Sequence, residues 1–146
     1  MLCLDIAWLS GTAFLARDPS DPAPDWPPQP DRIFSALVAS WGLGGEDPAE
    51  RAALEWLEAQ EPPRLHLPES ANERQIAKVY VPPNDAKGLT VLPHLRRRQE
   101  RTFPAVALDA GARVHLTVIW EADPPEAHRV ALDSLARRTS HIGHSA

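Results

Sequence analysis

Cysteine is nearly absent from this sequence: Cys3 is its single example, so an internal disulfide framework and a multi-cysteine zinc site are both excluded. Long apolar runs are missing too. No stretch approaches the ~18 residues that a membrane span needs. Asp5 interrupts the first apolar run and no Lys or Arg precedes it, so no secretory signal is read and a cytoplasmic location is expected. The chain also lacks a Walker A pattern, G-x-G-x-x-G, H-E-x-x-H and G-x-S-x-G. Nucleotide hydrolysis, dinucleotide chemistry, zinc proteolysis and α/β-hydrolase chemistry therefore lose their usual support, and neither a cofactor nor a metal is expected.

What is present is the material of one soluble domain. A chain of 146 residues with 43% apolar side chains can bury roughly 68–70% of its unfolded surface in one core. Proline is abundant, at 16 residues. The formal net charge of −5 is unevenly spread. Residues 1–73 hold 4 basic and 13 acidic side chains, whereas residues 74–146 hold 11 basic and 7 acidic. Between Arg74 and Arg101 lie 7 basic residues, opposed only by Asp85 and Glu100. A chain that is acidic overall but concentrates positive charge in one segment can bind a polyanion there.

Hydrophobic period then places the elements. Leu2, Leu4, Ile6 and Trp8 alternate with Cys3, Asp5 and Ala7, the pattern of a strand with one apolar face. Ser10-Gly11 turns the chain, and Thr12–Arg17 is expected to pair back as a short strand. Residues 18–30 carry 6 prolines and are expected to run extended, with Trp26 as a packed anchor. Ile33, Phe34, Leu37, Val38 and Trp41 fall on one helical face, with Asp31 at its start and Gly42 at its end. Asp47 caps a second helix, with Pro48 in its first turn and Glu50 completing a capping box; Pro62-Pro63 stops it. Arg64–Leu67, Gln75–Val81, Thr102–Leu108 and Ala112–Trp120 read as strands. Residues 82–101 form a long excursion, and Pro124-Pro125 opens a last helix with Ala127, Ala131, Leu135 and Arg138 along one side. Strands split by helices predict an α+β fold, an antiparallel or mixed sheet covered by helices on one face. A split β-α-β-β-α-β arrangement fits if one more strand begins near His141. Almost nothing of that strand is present, so the chain reads as part of a longer protein, and its open sheet edge is expected to allow a dimer.

Three groups of residues can carry chemistry. The first is the basic excursion, with Lys78, Lys87, Arg96, Arg97, Arg98 and Arg101. Arginine forks match phosphate oxygens, and each neutralised phosphate releases counterions. Tyr80 shares a strand face with Lys78, and an aromatic beside cations suits base stacking in single strands. The second is the pair His141 and His144, candidates for metal-independent RNA cleavage through the 2′-OH. His115, with Arg113 and Thr117, makes the uncovered sheet face polar. The third is W-P-P-Q-P, either a polyproline ligand for a protein partner or a stiff lead into the helix near Asp31.

In chain order, D-W-P-P-Q-P-D-R-I-F-S-A-L-V-A-S-W (25–41), V-Y-V-P-P-N-D (79–85), T-F-P-A-V-A-L-D (102–109), the V-x-L-x-V-x-W strand (114–120) and S-H-I-G-H-S (140–145) resemble a CRISPR-associated family. They look like the N-terminal part of the type I-U (I-G) subunit of the RAMP superfamily, in which a domain binding the crRNA 5′ handle is fused to one resembling the crRNA-processing endoribonuclease. The resemblance spans nearly the whole chain, and W-P-P-x-P-x-R followed by an apolar helix is its most specific part. It implies a ferredoxin-like, RRM-related fold, a single RAMP-like RNA-binding domain over 1–146, and antiviral defence within a prokaryotic Cascade complex. The implied partners are crRNA and other Cascade subunits. It also implies that the excursion at 82–101 occupies the place of a thumb-like hairpin that engages RNA. Family members are several times longer, so their ribonuclease chemistry is expected to lie outside these residues. The aromatic signature of RRM proteins is absent, so base stacking on the sheet face is not expected.

Overall fold

A computed structural model describes residues 1–17, 23–68, 71–74, 78–81, 98–108 and 115–143. The elements in chain order are β1 (Leu2–Ala7), β2 (Thr12–Phe14), α1 (Pro30–Leu43), α2 (Pro48–Glu58), β3 (Arg64–His66), β4 (Ala71–Arg74), β5 (Lys78–Val81), β6 (Gln99–Thr102), β7 (Ala105–Leu108), β8 (His115–Trp120) and α3 (Glu126–Arg138). The architecture is α+β. The strands form a main sheet ordered β1-β8-β3, a second sheet β2-β7-β4, and a separate two-stranded ribbon β5-β6.

The main sheet is the split βαβ unit. β1 and β3 both run antiparallel to β8, so they are parallel to each other and joined by the crossover through α1 and α2. This order is compatible with a ferredoxin-like fold. The alternation of β1 and β8 sends Leu116, Val118 and Trp120 to one face with Leu2, Leu4 and Ile6, because successive strand residues point to opposite sides. All three helices cover that face. Ile33 and Leu37 of α1, Ala53, Leu54 and Leu57 of α2, and Ala131, Leu132 and Leu135 of α3 complete the core. A smaller core of Ala13, Leu15, Val106 and Leu108 packs against Trp8 and Trp26.

Local chemistry sets the helix ends. Pro30 stands in the first turn of α1, where its missing N–H costs nothing. Gly42, the expected stop, lies inside the helix. The chain leaves the helix at Gly44, whose N–H reaches the Ser40 and Trp41 carbonyls at 3.0 Å. A Cβ on Gly44 would sit 2.7 Å from the Arg138 guanidinium, so the close passage of that side chain explains the glycine there. On α1, Val38 is exposed, unlike its expected neighbours Ile33 and Leu37. Asp47 caps α2 as expected, its Oδ1 accepting from the Ala49 and Glu50 amides at 2.8 and 3.1 Å. Glu50 does not turn back to close a capping box. It is buried and accepts two hydrogen bonds from Arg138 of α3, at 2.8 and 2.7 Å, with Ser134 Oγ at 3.2 Å. The Arg138 hydrogen bond holds the Glu50 carboxyl below its ordinary value, and Glu50 correspondingly raises Arg138.

Three strand expectations are corrected. Thr12–Phe14 pairs with β7, not back onto β1. Thr102–Leu108 is two strands, because Pro104 has no N–H to continue a ladder and lies between β6 and β7. Ala71–Arg74 is a strand that periodicity misses: all four of its residues are exposed, so no apolar alternation marks it.

Candidate nucleic-acid interface

β5 and β6 pair antiparallel, Lys78 opposite Thr102, Val79 opposite Arg101, Tyr80 opposite Glu100 and Val81 opposite Gln99. Among the described residues the ribbon pairs with neither of the other sheets. Lys78, Val79, Tyr80, Glu100 and Arg101 are exposed, and Val81 and Thr102 are half-buried. Tyr80 is 55% and Val79 42% exposed, so neither belongs to a core.

Alternation gives the ribbon two different faces. Lys78 and Tyr80 share one with Glu100 and Thr102, as the sequence predicts. There Lys78 Nζ lies 2.8 Å from Glu100 Oε1, and the Tyr80 hydroxyl donates to Glu100 Oε2 at 3.4 Å. Glu100 raises the Lys78 ammonium above its ordinary value, and Lys78 lowers Glu100. The Lys78 charge is therefore locally neutralised, which the sequence could not show. The second face sets Arg101 directly across from Val79. Arg98 is exposed and immediately precedes β6, at the end of the ladder beyond the Val81–Gln99 pair. Charge is thus asymmetric along the ribbon: a neutral ion pair stands near one end and an arginine at the other. Lys87, Arg96, Arg97 and His144 lie outside the described residues.

The other candidates fall elsewhere. His141 follows α3 and is exposed, with Nδ1 3.1 Å from Ser140 Oγ. It lines a cleft of about 480 Å³ with Arg32 and Arg138. Both arginines are already engaged. Arg138 holds Glu50, and Arg32 pairs with buried Asp25 at 3.2 Å while donating to the Ala16 carbonyl at 2.9 Å. This second ion pair gives the W-P-P-Q-P-D-R stretch a structural use. Asp25 N also donates to the Leu15 carbonyl at 2.9 Å, Pro28 is buried, and Trp26 meets Trp8 edge-on at 5.4 Å. Trp26 is thus the anchor that the sequence predicts.

The uncovered face of the main sheet is polar, as expected from His115 and Thr117. The missed partner is Asp5. Its Oδ2 lies 2.5 Å from His115 Nδ1 and its Oδ1 accepts from Thr117 Oγ1 at 2.9 Å. Strand period alone puts Asp5 on the open face; only the register of β1 against β8 brings it to those two side chains. Among the described residues no group of three or more His, Cys, Asp and Glu could hold a metal ion, and no helix is long and apolar enough to cross a membrane.

No curated protein and no solved structure matches the chain. A family model does, over residues 6–119, a span running from β1 through the ribbon to β8. Its description is CRISPR-associated protein, GSU0054 family, in keeping with the resemblance carried by the sequence motifs. With most of its length inside that match, the chain belongs to the CRISPR-associated GSU0054 family.

Proposed function

We propose that this domain is a crRNA-binding part of a type I CRISPR surveillance complex of the Cascade kind, and that the β5-β6 ribbon grips the RNA through its sugar-phosphate chain. The observation that carries this reading is a ribbon with both faces open to solvent, whose strands bracket the basic run of the sequence. Family membership supplies the CRISPR setting. Arg98 and Arg101 are the described arginines of the ribbon, and Lys87, Arg96 and Arg97 add to them from the intervening sequence. Lys78 serves in a different way: tied to Glu100, it steadies the ribbon, and Tyr80 beside it offers a ring for one base.

Replacing Arg96, Arg97 and Arg98 together by alanine tests the reading. Each phosphate contact to single-stranded RNA contributes about −0.7 to the slope of log K against log salt, so losing three should flatten it by roughly 2. The main sheet should keep its melting temperature. An unchanged slope overturns the reading.

A further inference from the structure

The second sheet and the ribbon are built from the same two passes of chain. β4 leads to β5 and β6 leads to β7, while β4 pairs with β7 and β5 with β6. Pro104, which has no N–H for a ladder, lies between the Lys78–Thr102 row of the ribbon and the Arg74–Ala105 row of the second sheet. Ala105 follows Thr102 by three residues, so these two rows are at most about 11 Å apart. Arg74 therefore stands at the root of the ribbon. Alternation splits the second sheet into two faces. Ala13, Val106 and Glu73 share the face of the smaller core. Thr12, Phe14, Asn72 and Arg74 share the other, with Ala105 and Ala107 between them. Glu73 is the one acid of these three strands, so the strand residues on the Arg74 face include no carboxylate. Asn72 and Arg74 are exposed, so packing does not account for either side chain. Elsewhere cations are matched. Every arginine of the three helices is paired with a carboxylate, as are Arg64 of β3 and Lys78 of β5. Among the described residues Arg74 has no hydrogen bond and no ion pair.

We propose that Arg74 and Asn72 form a phosphate contact for RNA at the root of the ribbon, the Arg74 guanidinium meeting a phosphate and the Asn72 amide donating to the same group. Guanidinium forks and side-chain amides both serve phosphate oxygens, and such contacts set the register of a strand without reading its sequence. This inference rests on the reading of the ribbon as the RNA grip and deepens it. Arg98 stands at one end of the β5-β6 ladder and Arg74 beyond the other, with the neutral Lys78–Glu100 pair between them. A chain of repeated phosphates can engage both ends at once, which a small anion cannot. The ribbon then holds RNA along its length, and the second sheet takes part.

The test measures binding of the whole 146-residue chain to a single-stranded CRISPR-repeat RNA across a salt series. Arg74→Gln should reduce the slope of log K against log salt by about 0.7, the share of one phosphate, which is about fivefold in affinity for each tenfold change in salt. Arg74→Lys should restore most of that slope, since an ammonium also neutralises a phosphate. Asn72→Ala should weaken binding about threefold and leave the slope unchanged, because a neutral donor releases no counterion. Arg137→Gln removes the same charge from α3 and should leave the slope as it is. Circular dichroism of each variant checks that it is folded. A slope untouched by Arg74→Gln overturns the inference. The ribbon reading then stands if replacing Arg96, Arg97 and Arg98 flattens the slope in the same assay, and both fall if it does not. An equal loss of slope in Arg137→Gln overturns the contact in favour of long-range attraction, and wild-type affinity in Asn72→Ala overturns the two-residue site.

Discussion

The helix-covered main sheet and the β5-β6 ribbon are built on opposite principles. In the first, β8 lies between two strands and beneath three helices, and Leu116, Val118 and Leu135 are fully buried. Burial of apolar surface makes that region stable. In the second, two four-residue strands carry exposed side chains on both faces, joined by their ladder and the Lys78–Glu100 pair. A two-stranded hairpin on its own is marginal in water. The comparison teaches where affinity for a polyanion can come from. Several arginines of the body are taken: Arg32 by Asp25, Arg138 by Glu50, Arg64 by Glu121. The ribbon ends on Arg98, and ligand contacts there can add the order that a core would otherwise supply.

Substitutions should separate the two regions. The largest effect is expected from Leu116→Ala, which opens a cavity beneath the helices and should lower stability by about 2–5 kcal/mol in urea or thermal unfolding. A cost below about 1 kcal/mol would mean that β8 is not the centre of the core.

Next comes Glu50→Gln, which removes the charge linking α2 to α3. Arg138 holds the native Glu50 carboxyl below its unfolded value, so the pair stabilises above the ordinary glutamate range. That contribution is lost as pH falls through the native value. Melting temperature against pH should therefore drop less steeply on the acid side in Glu50→Gln than in the wild type, and identical acid limbs would contradict this role. The change should be smaller than that of Leu116→Ala and should leave RNA binding by the folded protein intact.

The smallest effect on the body is expected from Glu100→Gln in the ribbon. Its carboxylate is exposed and neutralises Lys78. Removing it should leave the melting temperature unchanged and tighten RNA binding about two- to threefold at low salt, with the gain fading at high salt. Weaker binding instead would show that the ion pair shapes the ribbon more than its charge repels RNA.

The same contrast explains what the sequence reveals. α1, α2, β1 and β8 are legible because one face of each meets the core and writes a period of 3.6 or 2 into the residues. β4 leaves no such trace, since Ala71, Asn72, Glu73 and Arg74 are all exposed and owe their strand geometry to pairing with β7. Long-range partners are hidden for a related reason. The capping-box spacing of Glu50 is genuine, but Arg138 lies 88 residues away and wins because it offers a charged fork in a buried place. The Arg32–Asp25 ion pair is likewise settled only in the folded chain, between the proline-rich lead and α1. Gly143 has φ +92° and lies against Leu15 and the Phe14 carbonyl, a contact that only the folded chain explains. In the ribbon, the shared face of Lys78 and Tyr80 follows from strand period, whereas the loss of the Lys78 charge to Glu100 depends on register.

Hydrogen exchange of the full chain with and without a single-stranded CRISPR-repeat RNA tests most directly whether the ribbon is where RNA is held. Protection is expected in peptides covering 78–81 and 98–102, with Leu2–Ala7 and His115–Trp120 unchanged. Protection confined to those two main-sheet strands, with the ribbon exchanging as fast as in the free protein, would contradict the account.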